Sequence, residues 1–378
     1  MRSSSRGEVD PFIVMDVMEA ARRLEATGVS VIHMEVGQPG TPAPLVARQA
    51  VAAALDTPLG YTVALGLPEL RAGIADLYRT RHGITLDPAR VIVTAGSSAA
   101  FLLAFSAFFD AGDRVGLGEP GYPSYRQILR ALSLEPVGIP TLPEARHQPR
   151  VADLPDDIAG LIVASPSNPA GTMLSRDELS ALAAWATEHD KVLISDEIYH
   201  GLSYDQPAVS ALEVSDDVVV VNSFSKYWSM TGWRIGWMVV PDQHVRLIER
   251  LAQNMFICPP HVAQVAALAA LNADDECQAN LAVYAANRAL LLEGLPKAGF
   301  TRLSPADGAF YIYADLDGIA EDSLGFCREV LEQAHVAVTP GLDFDPVRGH
   351  KTLRFSYARS TADIAEGLKR LTRFMAAR

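Results

Sequence analysis

The chain has 378 residues, of which 49% are hydrophobic and 20% are charged, and this balance excludes a disordered or fibrous protein. Acidic residues outnumber basic ones by 45 to 32, which argues against nucleic acids and anionic membranes as partners. The first residues lack the apolar stretch of a signal peptide, and three widely spaced cysteines predict free thiols, so we expect a cytoplasmic protein.

The N-terminal part of the chain is predicted to form a helix over Val14–Thr27 and a strand over Val31–Val36. Beyond it, short β-branched runs alternate with helix-like stretches. The strand candidates of this region are Val91–Thr94, Arg114–Leu117, Glu135–Ile139, Leu161–Ala164, Val192–Ser195, Val218–Val221 and Arg234–Val240. Their alternation with helices predicts an α/β fold, in which a large domain has a mostly parallel seven-stranded sheet flanked by helices.

The pattern becomes helical after Pro241 and mixed towards the C-terminus. Helices are predicted over Gln243–Asn254, Val262–Leu271, Glu276–Lys297, Asp322–Gln333 and Ala362–Ala376. Strands are predicted over Phe310–Asp315, Val336–Thr339 and Leu353–Tyr357. We therefore expect a large domain over residues 41–275, and a smaller α+β domain over residues 1–40 and 276–378 that includes an N-terminal arm.

Polar side chains follow successive strands of the predicted sheet. Asn168, Asp196 and Lys226 are each about one βαβ unit apart, and Ser97-Ser98 and Tyr122 follow two earlier strands. Ligands of open α/β sheets lie beyond the carboxyl ends of the strands. We therefore expect these residues to form one site at that edge.

The residue types at this edge match the needs of pyridoxal phosphate. Its aldehyde requires an amine for a Schiff base, its ring nitrogen requires a carboxylate, and its phosphate requires hydrogen-bond donors. Lys226 is predicted to supply the amine, and Asp196 is predicted to keep the ring nitrogen protonated. The large domain is thus expected to bind this cofactor.

Five motifs, spread over nearly the whole chain, carry a resemblance to a known protein family and occur in the order that is typical of it. They are GYTVALGLPELR around Tyr61, SNPAG around Asn168, DEIY with Asp196 and Tyr199, SFSK…GWRIG with Ser223, Lys226 and Arg234, and LRFSYA with Arg354. In these motifs the chain resembles the class I/II aminotransferases of the fold-type I pyridoxal phosphate family. The resemblance implies transfer of an amino group from an α-amino acid to a 2-oxo acid by a ping-pong mechanism.

The resemblance also implies how the cofactor phosphate is held. Ser223 and Arg234 would grip the phosphate, together with the backbone amides of Ser97 and Ser98 at a helix N-terminus. Tyr61 would reach the phosphate of the neighbouring subunit. This last contact implies a homodimer with shared active sites.

For the cofactor ring, the resemblance assigns stacking to Tyr122 and hydrogen bonds with the ring oxygen to Asn168 and Tyr199. Lys226, once displaced by the substrate amine, would carry the proton between the substrate Cα and the cofactor. Asp196 would stabilise the ring as an electron sink.

For the substrate, the resemblance assigns the α-carboxylate to Gly37 and Arg354, the latter by a bidentate pair, with Asn168 nearby. Related enzymes that prefer dicarboxylates often carry a lysine where this chain has Ser98. Whether a dicarboxylate is accepted, and which donor and acceptor are used, stays open from the sequence.

Each of these residues has a structural explanation when it is taken alone. Lys226 would be a surface lysine, Asn168 a turn residue and Tyr61 a packing aromatic. Their joint placement favours the site. A β-eliminating C–S lyase on the same scaffold is the alternative function, and a non-catalytic sensor domain is less favoured. The nine histidines show no metal-binding spacing, so no metal site is predicted.

Overall fold

Helices and strands alternate along most of the chain in the computed structural model, which describes residues 1–378. The α-helices are, in chain order, α1 (Ile13–Glu25), α2 (Leu45–Ala54), α3 (Pro68–His82), α4 (Ser97–Phe108), α5 (Pro123–Ala131), α6 (Arg176–Glu188), α7 (Asp242–Met255), α8 (His261–Ala270), α9 (Asp274–Lys297), α10 (Ser323–Glu329) and α11 (Thr361–Ala376). The strands are β1 (Ile32–His33), β2 (Val91–Thr94), β3 (Arg114–Glu119), β4 (Glu135–Pro140), β5 (Gly160–Ala164), β6 (Val192–Asp196), β7 (Val219–Ser223), β8 (Gly236–Val239), β9 (Tyr311–Asp315), β10 (Val336–Ala337), β11 (Thr339–Pro340) and β12 (Thr352–Ser356).

The main sheet has seven strands in the order β2-β8-β7-β6-β5-β3-β4. Strands β3 to β7 pair in parallel, whereas β8 runs antiparallel to both of its neighbours, β2 and β7. The predicted seven-stranded, mostly parallel sheet is therefore confirmed. The seven strand candidates all lie within a few residues of the observed strands.

Both faces of the main sheet are buried, and this explains why its strands are nearly continuous apolar runs. On β7, Val220 belongs to one hydrophobic core, while Val219 and Val221 belong to a second one on the other face. Helix α4 packs against β7 and β8, and α6 packs against β6. Two helix layers thus cover the sheet and leave only its edges for a ligand.

Two smaller sheets are built from the two ends of the chain. Strand β1 pairs in parallel with β10, with Ile32 opposite Val336, and the order β11-β12-β9 forms an antiparallel sheet. The single strand predicted over Val336–Thr339 is wrong, because the chain leaves one sheet at Val338 and enters the other, where Thr339 pairs with Arg354. The strand predicted over Val31–Val36 is likewise reduced to β1.

The predicted C-terminal helices are present, with one change of winding. After α10 the backbone widens into a π-helical turn over Val330–Ala334, where a single helix had been predicted. Helices α2 and α3 lie in a region for which no element was predicted. None of the helices combines the length and the apolar character needed to cross a membrane.

The N-terminal segment lies against the C-terminal part of the chain through the pairing of β1 with β10. This pairing is in keeping with the predicted division into residues 41–275 and residues 1–40 with 276–378. We propose these boundaries for the two domains.

Candidate active site

A cavity of about 210 Å³ lies at the carboxyl ends of the parallel strands, where Ala164 ends β5 and Asp196 ends β6. Ten of the predicted site residues line it together: Gly37, Ser97, Ser98, Tyr122, Asn168, Asp196, Tyr199, Lys226, Arg234 and Arg354. Two of the predicted residues, Ser223 and Tyr61, do not line it. The spacing of the strands thus brings most of the predicted set to one place.

Lys226 reaches into the cavity from the turn that follows β7. Its Nζ donates a hydrogen bond of 2.8 Å to the carbonyl oxygen of Gly37. Burial, together with the positive charges of Arg354 and Arg234, lowers the pKa of this amine to about 8. More of this amine is therefore unprotonated near neutral pH than in an ordinary lysine, although the protonated form still predominates there, and the neutral amine is the form that a nucleophile requires.

Asp196 is buried at the end of β6. It accepts hydrogen bonds from the phenol of Tyr125 and, at 3.1 Å, from the backbone N–H of Ile198. Burial raises the pKa of its carboxyl to about 6, while these two donors oppose the increase. A cationic group bound in the cavity would balance the buried negative charge of this carboxylate. Tyr125 was not predicted, although it follows Tyr122 by one helical turn.

An anion-binding corner forms where α4 begins. The first N–H groups of α4 have no partner within the helix, and Ser97 and Ser98 occupy this first turn. Gly96 has a φ of 79°, and the guanidinium of Arg234 packs so closely on it that a Cβ there would displace the guanidinium. A helix terminus, hydroxyl groups and a guanidinium are the donors that a phosphate group requires.

The two serines of the SFSK segment have different positions. Ser223 is fully buried, and its Oγ donates a 2.7 Å hydrogen bond to Ser225 Oγ. The backbone N–H of Ser225 in turn donates to Ser223 Oγ at 3.0 Å. Ser225 lines the cavity, whereas Ser223 is buried and does not line it.

Arg354 crosses the cavity from β12 and is only 3% exposed. Its Nη1 donates to Asn168 Oδ1 at 2.7 Å, and its Nη2 donates to the carbonyl oxygen of Glu35. The rings of Tyr311 and Phe344 lie 4.3 and 4.7 Å from the guanidinium carbon. Its Nε is buried without a partner, so an anionic ligand would satisfy a donor that is otherwise costly to bury.

Tyr311 is a further wall residue that the sequence analysis missed. Its phenol lies 2.8 Å from the phenol of Tyr199, and burial raises the pKa of both groups, so both stay protonated. The hydroxyl of Tyr311 also occupies the space that a Cβ at Gly37 would need. Gly37 is therefore required by close packing, which lets its carbonyl face Lys226.

Tyr61 lies outside this cavity, with 84% of its surface exposed. Val63, two residues on, is also exposed, as are Met255 and Ile257. One side chain, Gln264, hydrogen-bonds both Thr62 Oγ1 and the carbonyl of Pro259 through its Nε2. The Tyr61 segment and the Ile257 segment are thus neighbours on an apolar surface.

The fold and the site define an α/β enzyme with a lysine amine, a carboxylate and two arginine guanidinium groups in one cavity. The family model described as aminotransferase class I and II matches residues 29–371. The chain therefore belongs to this family and is an aminotransferase. The family generally depends on pyridoxal phosphate, and its substrates are amino acids and oxo acids.

Individual relatives agree with this assignment. The chain is 50% identical to the valine–pyruvate aminotransferase of Mycobacterium tuberculosis, with 98% of this chain and 97% of the relative covered. Among solved structures, it resembles an aminotransferase from Mycobacterium tuberculosis, with a TM-score of 0.98, 48% identity and 100% of both chains covered. It also resembles the aspartate aminotransferase of Thermus thermophilus solved with maleate, with a TM-score of 0.91, 33% identity and 99% and 100% coverage. The C–S lyase alternative has no support among these relatives.

Proposed function

We propose that this aminotransferase binds pyridoxal phosphate through Lys226 and moves the amino group of an apolar α-amino acid to a 2-oxo acid by a ping-pong mechanism. One observation carries the proposal: the amine of Lys226, the carboxylate of Asp196 and the guanidinium of Arg354 line one cavity. These are the groups needed to hold the cofactor and to orient an amino acid upon it.

The donor set of the cavity fits the cofactor. The phosphate would be held by the first turn of α4, Ser225 and Arg234. Ser223 does not line the cavity, but its hydrogen bond to Ser225 would keep that side chain in position. Asp196 would pair with the ring nitrogen. When bound, pyridoxal phosphate supplies a carbonyl carbon that accepts an amine and a ring that withdraws electrons from the substrate Cα.

The other side chains around the ring would keep it in position. Tyr122 would stack on the ring, and Asn168 and Tyr199 would hydrogen-bond its oxygen. Both Tyr122 and Tyr199 line the cavity, and the phenol of Tyr199 is itself held by Tyr311. Stacking and directed hydrogen bonds together restrict the ring to one orientation.

Lys226 would act at two stages. Its lowered pKa, about 8, would increase the share of neutral amine, the form that can react with a carbonyl carbon. Once the substrate amine had replaced it, the same Nζ would be free to carry a proton between the substrate Cα and the cofactor carbon. Arg354, with Gly37 nearby, would orient the substrate by its α-carboxylate so that this proton faces Lys226.

The charges in the cavity favour a substrate with one carboxylate. Lys226, Arg234 and Arg354 are the cationic side chains of its wall, and each already has a role in the proposal. Ser98 stands at the position where related dicarboxylate enzymes often have a lysine. Val36 and Ile198 add apolar wall, so we propose a valine-like donor with pyruvate as acceptor, in keeping with the valine–pyruvate relative.

We also propose a homodimer with shared active sites. The exposed apolar surface around Tyr61 and Ile257 is of the kind that marks a protein interface. A second copy of the chain would cover it and would bring Tyr61 towards the phosphate corner of its neighbour. This arrangement would explain why Tyr61 lies in a motif of the family yet outside its own cavity.

The test is a half-reaction with purified holoenzyme. We expect valine alone to convert the cofactor spectrum, and pyruvate added afterwards to restore it with release of alanine. Aspartate should react much more slowly. Borohydride reduction should fix the cofactor on Lys226, whereas the Lys226→Ala variant should retain no covalent adduct. An adduct on another residue, or ammonia release without any acceptor, would overturn the proposal.

A further inference from the structure

The first turn of α1 forms one wall of the catalytic cavity. Phe12, Val14 and Met15 all line this cavity, and α1 begins at Ile13. All three side chains are apolar, whereas the donors for the cofactor and the carboxylate come from other elements. Under the proposed function the polar groups hold the cofactor and the carboxylate, so apolar wall such as this turn is left for the substrate side chain.

A buried carboxylate from the far end of the chain holds this turn. Phe12, at the N-cap position, makes no capping hydrogen bond with its side chain. Instead, Asp343 Oδ1 accepts from the Ile13 N–H at 2.9 Å, and Asp343 Oδ2 accepts from the Val14 N–H at 3.2 Å. N–H groups of a first turn need such acceptors, and a helix N-terminus favours negative charge. Because Asp343 is only 4% exposed, water cannot readily replace it.

The other contacts of this segment are weaker. Asp10 accepts hydrogen bonds from Gln127 at 3.1 Å and from Arg130 at 2.6 Å, both on α5. The side chain of Asp10 is 67% exposed, and exposed ion pairs contribute little. Phe12 packs edge-on against Tyr122, with ring centroids 5.9 Å apart. Asp343 is therefore the main polar anchor of the turn.

We infer that Asp343 is the positioning residue that keeps the first turn of α1 against the cavity, and that discrimination between amino-acid side chains at this wall depends on it. The inference rests on the proposed function and adds the residue that fixes the position of the wall. An apolar wall gains free energy with each methyl group buried against it. It disfavours a charged side chain, which would lose its hydration there.

Asp343 also lies beside the carboxylate-binding part of the cavity. Phe344, the next residue, packs 4.7 Å from the guanidinium carbon of Arg354. A substitution at Asp343 that disturbed Arg354 would slow all α-amino acids alike, because all share the α-carboxylate. Loss of the wall instead lowers the preference for valine over alanine. The ratio of the two substrates therefore separates the two effects.

The experiment compares Asp343→Ala and Asp343→Asn with the wild-type holoenzyme. Single-turnover half-reactions with valine and with alanine give the rate and the apparent Kd for each. We expect the valine-to-alanine ratio of efficiency to fall about tenfold in Asp343→Ala, which is the discrimination typical of one or two methyl groups. The change should lie mainly in the apparent Kd for valine. Asp343→Asn keeps one acceptor oxygen, so its valine-to-alanine ratio should lie between those of the wild type and Asp343→Ala.

Hydrogen exchange provides a readout that does not depend on catalysis. The amides of residues 10–16 should exchange faster in Asp343→Ala. The matched control is Asp322→Ala, because Asp322 caps α10 by accepting from the Leu324 N–H at 3.0 Å and does not line the cavity. That control should leave both the substrate ratio and the exchange of residues 10–16 unchanged.

Two results would overturn the inference. Faster exchange with an unchanged substrate ratio would show that the turn does not select side chains, and unchanged exchange would show that Asp343 is not its anchor. A wild-type enzyme that converts neither valine nor alanine would instead contradict the proposed function. In that case the exchange experiment still decides the role of Asp343.

Discussion

Arg354 Nη1 donates a 2.7 Å hydrogen bond to Asn168 Oδ1, and this bond joins β12 to the loop after β5. The two residues are thus held across the cavity before any substrate enters. A carboxylate that pairs with Arg354 would meet a guanidinium whose orientation is already restricted by Asn168 and by the flanking aromatic rings. Such preorganisation reduces the entropy lost when a substrate binds.

Substitution of Arg354 should therefore impair α-amino acids selectively. Arg354→Lys keeps the positive charge but loses the planar fork and the ring stacking. We expect the efficiency with amino acids to fall about 10- to 100-fold, as for loss of a charged hydrogen bond worth about 1.5–3 kcal/mol. The measurement is the half-reaction with an amino acid and, in parallel, with a simple amine that has no carboxylate.

The simple amine should be affected much less than the amino acid. Arg302→Lys, at an arginine outside this cavity that pairs with Asp315 and Asp317, serves as the control. Equal slowing of the amine and the amino acid would mean that Arg354 does not bind the α-carboxylate.

Removal of the Tyr125 phenol should weaken cofactor binding. This phenol donates to Asp196, and without it the pKa of Asp196, already about 6, should rise further and leave less carboxylate for the ring nitrogen. We expect the Kd of pyridoxal phosphate for Tyr125→Phe apoenzyme to increase about tenfold or more. Tyr78→Phe is the control, since Tyr78 is buried but does not line the cavity. An unchanged Kd in Tyr125→Phe would show that the Tyr125 phenol does not support cofactor binding through Asp196.

Tyr61 can be assigned to its own or to its neighbour's site with hybrid dimers. Tyr61→Phe should weaken cofactor binding by about 0.5–3 kcal/mol, the range for a lost hydrogen bond. A hybrid of a Tyr61→Phe chain with a Lys226→Ala chain contains one intact Lys226. If Tyr61 crosses the interface, that lysine is paired with the intact Tyr61 of the other chain, so one site per dimer should bind cofactor normally.

Titration of each hybrid with cofactor, after separation by a tag on one chain, gives the measurement. Weak binding at the Lys226 site of the hybrid would place Tyr61 in its own subunit's site. An active monomer in analytical ultracentrifugation at assay concentration would rule out shared sites altogether.

Glu197 should make stability depend on pH. It is buried next to Asp196, and burial raises its pKa to about 8 although Ser210 and the Ala211 N–H donate to it. The pKa of His200 is lowered to about 3, so this ring is neutral. Its Nε2 lies 3.0 Å from the Ser165 carbonyl, which leaves Nδ1 as an acceptor 3.5 Å from Glu197. This Nδ1 forms no hydrogen bond at that distance, so a protonated Glu197 faces a neutral ring nitrogen that carries no proton.

The direction of the pH dependence of stability follows from the raised pKa of Glu197. The folded chain holds a proton that the unfolded chain releases above its own pKa, about 4.3 for a glutamate. The contribution of Glu197 to the free energy of unfolding is therefore full at low pH and is lost as the pH rises towards 8. Glu197→Gln, which cannot ionise, should show a smaller fall in Tm between pH 5.5 and 8.5 than the wild type. The exposed Glu188→Gln variant is the control, and identical pH slopes for all three proteins would contradict a protonated Glu197.

Part of the site follows from local sequence patterns. Asn168, Asp196 and Lys226 follow strands that are recognisable as short apolar runs, and parallel strands bring their carboxyl ends to the same edge of the sheet. Their convergence was therefore predictable from spacing alone. The same argument explains why the seven-stranded sheet was predicted while its exact strand ends were not.

The rest of the cavity depends on contacts between distant parts of the chain. Tyr311 meets Tyr199 across 112 residues, and Asp343 meets Ile13 across 330 residues, so no local pattern marks either pair. The split of the predicted strand at Val338 has the same origin, since its two halves follow partners in different sheets. The sequence by itself determined the seven strands of the main sheet, the helices after Pro241 and the chemical groups at the sheet edge, because these depend on neighbours along the chain. Only the tertiary structure decided which wall closes the cavity, because the two ends of the chain pack there, and which serine faces it, because Ser223 Oγ is bonded to the Ile235 carbonyl and to Ser225.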